Sequence, residues 1–253
     1  MNKYTNWRIK ISDIDKEEII FSELKSNKIK PEIIDEMYKI YNPHHNMSFD
    51  AFQSRMHTNF NRIILFKRDL DKELIGFTGI RFDKFITNKN KKRILIYYGS
   101  AFLESEYRGK NLMQTVGKKY YLKIRLKHLM KKINVWADLL SLRAYCMICS
   151  NYRRFYPSPD WETPKKIKKL MDYVGEKYYG DNYNSESGIV CKNSKRIKDH
   201  EISYSEGDRK DKYVNFFLDK NEDYLNGNGL ICVIPANIVN ILSNAVHTLK
   251  KRR

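Results

Sequence analysis

The chain has 253 residues, of which 42% are apolar and 13% aromatic, and its formal net charge is +18. This length can bury one substantial core, so one domain, or one domain with an appendage, is expected, and no internal repeat is obvious. Clustered Lys and Arg favour contact with phosphates, but Lys, Asn and Ile are abundant along the whole chain. The net charge is therefore attributed to the overall amino-acid composition of the chain and not to a specific binding surface, and a nucleic-acid partner is not favoured.

Two segments bear on the compartment. Residues 1–18 lack the apolar core of a secretory signal, so a cytoplasmic protein is expected. The longest apolar tract near the C-terminus, residues 230–246, is interrupted by Pro235 and three asparagines, which are costly in hydrocarbon. Neither a membrane span nor a membrane partner is expected.

Hydrophobic patterns predict strands and helices in the first half of the chain. A strand is predicted over 18–25, and apolar residues at helical spacing behind Pro31 predict a helix over 31–41. Ser48 can cap a second helix. Two strands, 62–68 and 73–85, are joined by the short polar segment 69–72, which predicts a hairpin, and a third strand follows over 93–103.

The second half begins with a strand, a long helix and another strand. A helix over 111–131 and a strand over 133–137 form a crossover, which favours parallel pairing of the flanking strands and hence a mixed sheet. Further helices are predicted over 142–150 and behind Thr163 as cap with Pro164 at the first helical position. The charged segment 181–228 is expected to be the least rigid part, followed by a strand (229–234) and a helix (236–249).

The junction "SEYRGKNLM", residues 105–113, carries the most chemical information. A glycine-containing turn that opens a helix presents unpaired backbone N–H groups at the positive end of a helix dipole, which suits phosphate. Arg108 and Lys110 add positive charge beside it. Between Arg108 and Lys132 there are nine basic residues and no acidic one, so the alternative is a solvated basic face on an exposed helix.

With this order of elements, residues 18–160 resemble the GNAT superfamily of acyl-CoA-dependent N-acetyltransferases. The resemblance implies an α/β fold with a mixed, splayed central sheet, helices on both faces and a C-terminal extension. Residues 1–160 would form the acyltransferase-like domain and residues 161–253 an extension packed on it. The extension would cover the acceptor side or form a dimer interface, so a monomer or a homodimer is expected.

In the resembling family the loop reads Arg/Gln-x-x-Gly-x-Gly/Ala, and its amides hold the pyrophosphate of coenzyme A. Here Arg108 takes the first position, whereas Asn111 and Met113 replace a glycine and a small residue. Asn tolerates positive φ, so it can preserve the turn, but Met113 would crowd a close phosphate. The pantetheine slot would lie between residues 102–103 and 134–135. The implied cofactor-binding residues are Phe102, Leu103, Arg108, Gly109, Lys110, Asn111, Leu112 and Met113, with acetyl-CoA or another acyl-CoA as co-substrate and no metal.

Acyl transfer to an amine needs a base for the ammonium proton and an acid for the departing thiolate. The resembling family commonly uses a tyrosine on the helix after the last core strand as the acid. Counting from the strand 133–137 favours Tyr145, whereas counting back from residues 156–157 favours Tyr152, and we prefer Tyr145. Glu104, at the end of the central strand, is the candidate base. The alternatives are core packing for the tyrosines and plain solvation for Glu104.

The first helix-loop-helix forms one wall of the acceptor site in the resembling family, which makes Tyr41, His44 and Phe49 acceptor-site candidates. His44 and His45 are not interpreted as metal ligands, because no carboxylate or cysteine lies at ligand spacing nearby. The resemblance implies an enzyme that moves an acetyl or other acyl group from acyl-CoA to an amine of a small molecule, protein or peptide. The alternatives are a basic nucleic-acid-binding module using the helix 111–132 and a non-catalytic relative that binds acyl-CoA.

Overall fold

The structure is a computed structural model that describes residues 5–10, 18–86, 90–192, 210–237 and 239–240. The chain forms two compact units. The first unit comprises the described parts of Met1–Pro43, Met47–Asp83 and Ile96–Leu129, and the second those of His44–Asn46, Lys84–Leu95 and Met130–Arg253.

The described part of the first unit contains a run of neighbouring strands with three helices. Its strands follow chain order across the sheet, and each of the first three pairs antiparallel with the next. The described residues of Lys84–Leu95, which include the end of the fourth strand and the start of the fifth, belong to the second unit. The strands are β1 (Thr5–Lys10), β2 (Glu18–Lys25), β3 (Arg62–Arg68), β4 (Leu74–Ile86) and β5 (Lys92–Leu103), and the helices are α1 (Pro31–Tyr41), α2 (Phe49–Thr58) and α3 (Leu112–Lys127).

Local sequence accounts for the helix starts in this unit. Pro31 occupies the first turn of α1, where a missing N–H costs nothing. The Ser48 side chain accepts a hydrogen bond from the backbone N–H of Ala51 and so caps α2, as expected. In the sheet, Phe21 and Phe66 meet edge to face with ring centroids 5.0 Å apart. The core of the unit is thus aromatic and aliphatic.

The described part of the second unit contains four strands and three helices. The strands lie in the order β6-β9-β8-β7, and all three pairs are antiparallel. Tyr145, Phe155, Phe217 and Tyr224 belong to one buried cluster in this unit. The strands are β6 (Lys132–Leu139), β7 (Tyr183–Asn184), β8 (Ile189–Val190) and β9 (Gly229–Pro235), and the helices are α4 (Leu142–Asn151), α5 (Lys165–Tyr179) and α6 (Lys212–Lys220).

The expected fold class, α/β with a large mixed sheet and helices, is confirmed. The hairpin turn is confirmed too, because the N–H of Lys72 donates to the Arg68 carbonyl at 3.0 Å. Two expectations about helix ends were wrong. Pro164, with φ −59° and ψ 142°, precedes α5 without a side-chain cap, so Thr163 does not cap it. Helix α3 ends at Lys127, because His128 leaves the helical region at φ −138° and ψ 54°.

The short strands β1, β7 and β8 were not predicted, and α6 supplies the regular structure around the segment "YVNFFL". Residues 193–209 of the charged segment, and residues 241–249 of the expected last helix, lie outside the described residues. Within the described part of the chain, no helix has the length and hydropathy needed to cross a membrane.

Candidate functional site

The junction after β5 is a tight sequence of backbone turns in the first unit. The N–H of Glu104 donates to the Ile75 carbonyl at 3.0 Å, which continues β5 beside β4 up to this point. A short 3₁₀ turn, Ser105–Tyr107, follows, and the Tyr107 side chain is buried. The N–H of Arg108 donates to the Ser105 carbonyl at 3.2 Å. The chain is therefore anchored on both sides before it enters the loop.

Two residues of the loop adopt the left-handed conformation. Gly109 has φ 82°, and a Cβ at this position would meet nothing within 4 Å, so the backbone angle rather than space favours glycine. Asn111 has φ 59° and ψ 20° immediately before α3. The positive φ expected at Asn111 is confirmed.

The first turn of α3 presents backbone donors. The Asn111 side chain does not cap the helix, and the first turn contains no acidic residue. The Asn111 carbonyl accepts from the N–H of Thr115 at 3.0 Å and from its hydroxyl at 2.9 Å, which closes the first helical turn. The N–H groups ahead of Thr115 have no partner inside the helix, and the dipole makes them attractive to an anion.

Two cations belong to the loop that precedes these donors. Nε–H of Arg108 donates to the Leu103 carbonyl at 3.1 Å, which holds the guanidinium against the end of β5. Nζ of Lys110 lies 5.0 Å from the ring centroid of Tyr107, within cation–π range. Both positive charges are thus positioned by neighbouring groups of the loop itself. A planar guanidinium suits bidentate contact with phosphate oxygens.

Met113 is half-buried on the first turn of α3, next to Leu112, which is buried. The Tyr98 hydroxyl donates to the Met113 carbonyl at 3.2 Å and lies 3.8 Å from its sulfur. The thioether therefore lies beside β5.

Strand β5 also contains a feature that sequence analysis missed. Ser100 has φ 48° inside the strand and is buried. Its hydroxyl accepts a hydrogen bond from Nε of Arg55 at 3.3 Å, and Nη2 of Arg55 donates to the Tyr97 hydroxyl at 3.4 Å. Positive φ is uncommon for a non-glycine residue, and within a strand it is typical of a bulge next to a functional site. The small pair Gly99-Ser100 in an aromatic strand was the available signal.

The acceptor-site candidates do not all belong to the same unit. Tyr41 is fully buried, and its ring centroid lies 5.0 Å from that of Phe102 and 4.7 Å from that of Phe52. Burial raises the pKa of Tyr41 above its ordinary value. Phe49 packs edge to face on Tyr38 at 5.3 Å. These residues belong to the first unit, whereas His44 belongs to the second.

Glu104 is half-buried at the end of β5. Burial, followed by the nearby carboxylates of Glu73 and Glu106, raises the pKa of Glu104 above its ordinary value of 4.5. A raised pKa brings a carboxylate closer to the range in which it accepts a proton at neutral pH. The electrostatic setting of Glu104 is thus compatible with a base.

The two candidate acids lie on α4 and at its end, in the second unit. Tyr145 is fully buried, and its hydroxyl donates to the Pro157 carbonyl at 3.2 Å. Its ring centroid lies 5.4 Å from that of Phe217. Tyr152 follows the last helical residue and is half-buried. Burial raises the pKa of both phenols, so both hold their protons at neutral pH.

A buried polar cluster near the start of α4 was not foreseen. Asp138 of β6 forms an ion pair with Lys192, and both side chains are less than 10% exposed. The Tyr179 hydroxyl donates to Oδ2 of Asp138 at 2.7 Å. Gly229 lies next to the pair, where an added Cβ would lie 3.5 Å from Nζ of Lys192. The cluster ties the segment after β8 to β6.

No family model matches the chain, and no curated protein is similar to it in sequence. Several solved structures are similar in fold. An acetyltransferase of Trypanosoma brucei is 12% identical, with 57% of this chain and 99% of that chain covered and a TM-score of 0.38. The glucosamine-6-phosphate N-acetyltransferase of Arabidopsis thaliana is 13% identical, with 57% and 98% covered and a TM-score of 0.35.

A GCN5-related glucosamine N-acetyltransferase region of a fungal multi-domain GH3 beta-N-acetylglucosaminidase is 12% identical. The match covers 64% of this chain and 21% of that chain, with a TM-score of 0.42. All three of these structures are named as acetyltransferases. At these identities and TM-scores the similarity concerns the fold alone, and function is argued from the residues of the chain.

Proposed function

We propose that the protein is an N-acyltransferase that transfers an acyl group from acyl-CoA, with acetyl-CoA as the first choice, to an amine. The observation that carries the proposal is the loop before α3. Gly109 and Asn111 adopt positive φ immediately before the uncapped N–H groups of the helix, and the Arg108 guanidinium is held at the start of the same loop. Convergent backbone donors with a fixed guanidinium match a pyrophosphate better than they match a single carboxylate.

In the proposed reaction, the amine attacks the thioester carbonyl, a C–N bond forms and the C–S bond breaks. Glu104 takes up the ammonium proton directly or through water, and Tyr145 donates a proton to the departing thiolate, with Tyr152 as the alternative donor. The raised pKa of Glu104 favours proton uptake, and the raised pKa of each tyrosine keeps it protonated. Acyl-CoA itself supplies the leaving group, the coenzyme A thiolate, so this scheme requires no metal.

One observation favours a second candidate function, in which the protein binds acyl-CoA without transferring the acyl group. Tyr145 has no exposed surface, and its hydroxyl already donates to the Pro157 carbonyl. A general acid has to reach the leaving group within hydrogen-bond distance. If the Tyr145 hydroxyl keeps its hydrogen bond to Pro157, the loop can bind acyl-CoA, but no acid from Tyr145 is available for acyl transfer.

Two measurements on the purified protein test the proposal. Acetyl-CoA at 100 times its dissociation constant should stabilise the folded protein by about 2.7 kcal/mol, seen as a rise in Tm. Release of free coenzyme A thiol should then be followed with polyamines, amino sugars, aminoacyl compounds and peptides as acceptors. A Tm rise with acceptor-dependent thiol release supports the transferase, and a Tm rise without release supports the second candidate. No Tm rise together with salt-dependent RNA binding would overturn both.

A further inference from the structure

Helix α3 carries two rows of apolar side chains, and one of them faces outward. Leu112, Val116 and Tyr120, spaced by four residues, are buried. Leu122 and Leu126 are also spaced by four, yet they are 56% and 73% exposed. At 3.6 residues per turn, Leu122 lies roughly 160° around the helix axis from Tyr120. The second row therefore contributes little to the core of the described chain.

Leu129 extends the outward row beyond the end of the helix and is 67% exposed. Three leucines exposed on one short stretch differ from single apolar residues scattered over a surface, which need no explanation. A row of this kind indicates contact with something apolar.

Positive charge borders the leucines on both sides. Lys118 and Lys119 precede Leu122 by four and three positions, and Arg125 follows it by three, so all are neighbours of that leucine on the helix surface. Arg125 is held over the Tyr121 ring at 5.5 Å from its centroid. The stretch from 108 to 132 contains nine basic residues and no acidic one.

An acidic residue from another element reaches one edge of this face. Nζ of Lys123 pairs with a carboxylate oxygen of Glu23 at 3.0 Å, and Glu23 also accepts from Nε of Arg62. The residues of the stretch themselves still carry a strongly positive charge. The partner of the leucine row must therefore combine apolar material with negative charge.

We infer that this basic leucine face, formed by Lys118, Lys119, Leu122, Arg125, Leu126 and Leu129, binds the surface of an anionic lipid bilayer. The leucines enter the boundary between headgroups and acyl chains, and the cations meet the lipid phosphates. The helix lies along the surface and does not span it. This binding is independent of acyl transfer.

Area and chemistry favour a bilayer over a macromolecular partner. A stable protein interface buries about 800 Å² on each side, and three leucine side chains expose only a fraction of that area. A bilayer needs no complementary shape and takes up single apolar side chains. A nucleic acid would engage the cations through its phosphates but would leave the leucines in water.

Cosedimentation of the full chain with phospholipid vesicles tests the inference. The protein should bind vesicles that contain phosphatidylserine and not vesicles of phosphatidylcholine alone, at about 0.15 M salt. The double variant Leu122→Ser and Leu126→Ser should lower binding about tenfold or more. The matched control is Leu70→Ser, since Leu70 is 91% exposed in the hairpin turn between β3 and β4. This control should bind like the unchanged protein.

A charge-matched pair completes the design. Lys118→Glu with Lys119→Glu should abolish binding, whereas Lys28→Glu with Lys30→Glu, at two exposed lysines beside α1, should reduce it far less. Absence of binding to the anionic vesicles overturns the inference, and so does binding that survives the leucine double variant. Leucine-dependent dimerisation in sedimentation velocity without vesicle binding would assign the face to a second copy instead. RNA binding that survives the leucine variant, without vesicle binding, would assign it to nucleic acid.

Discussion

The loop before α3 and the tyrosine of α4 place their polar groups in opposite ways. At the loop, Gly109 is exposed and the first N–H groups of α3 lack a side-chain cap, so these donors can serve a ligand. On α4, the Tyr145 hydroxyl is buried and donates to a carbonyl of its own unit. The uncapped N–H groups of α3 support a binding role for the loop. Tyr145 can act as a proton donor only if its hydroxyl exchanges the Pro157 carbonyl for the leaving group.

The largest expected effect is the loss of the Tyr145 hydroxyl. Tyr145→Phe keeps the ring and its packing on Phe217 but removes the proton donor. We expect turnover to fall roughly 10²-fold while acetyl-CoA affinity hardly changes. The lost hydrogen bond to Pro157 should also lower stability by about 1 kcal/mol, measured by urea unfolding.

Tyr152→Phe is the matched control, because it removes the same hydroxyl seven residues further along the chain. We expect near-normal turnover. A large loss at Tyr152 with normal turnover at Tyr145 would transfer the role of the acid. Lower stability with unchanged turnover in Tyr145→Phe would make that tyrosine purely structural and would support binding without transfer.

The next effect concerns the backbone of the loop. Asn111→Val places a β-branched residue at φ 59°, which costs roughly 1–2 kcal/mol of conformational free energy. We expect acetyl-CoA binding to weaken severalfold, because the N–H groups of α3 lose their alignment. Asn111→Gly is the control, since glycine adopts this angle freely, and should bind like the unchanged protein. Calorimetric titration measures both. Equal affinities for the Val and Gly variants would contradict a role for the turn.

The smallest expected effect is a change in pH dependence at Glu104. Because the folded-state pKa of Glu104 lies above its ordinary value of 4.5, the folded protein holds this proton more tightly than the unfolded chain does. Stability due to this group is lost as pH rises from the unfolded pKa to the folded pKa. Glu104→Gln should therefore raise Tm slightly at neutral pH and leave it unchanged well below pH 4.5. An equal Tm difference at both pH values would contradict the raised pKa.

Much of the fold could be predicted from the sequence, because helix-start residues, turn residues and the pattern of apolar residues indicate the same elements. Pro31 and Ser48 mark two helix starts, and the short polar segment 69–72 marks a hairpin, all as observed. The left-handed angle of Asn111 was also predictable, because asparagine tolerates positive φ better than most other non-glycine residues.

The remaining features depend on contacts between distant residues. Ser100 is held at positive φ in a strand with its hydroxyl bonded to Arg55, which lies 45 positions earlier in the chain. The ion pair of Asp138 and Lys192 likewise joins β6 to residues after β8. Periodicity reports which face of an element is buried, but it does not report which polar groups meet across the fold.

The measurement that tests the central claim most directly is the affinity of acetyl-CoA for the Arg108→Glu variant, determined by calorimetric titration. Arg108 is held at the start of the loop by the Leu103 carbonyl, and reversing its charge should weaken binding at least tenfold, about 1.4 kcal/mol. Lys127→Glu is the control, because it changes the net charge equally at the exposed far end of α3. It should bind within about twofold of the unchanged protein. Unchanged affinity in a folded Arg108→Glu variant, or equal losses in both variants, would contradict a coenzyme site at this loop.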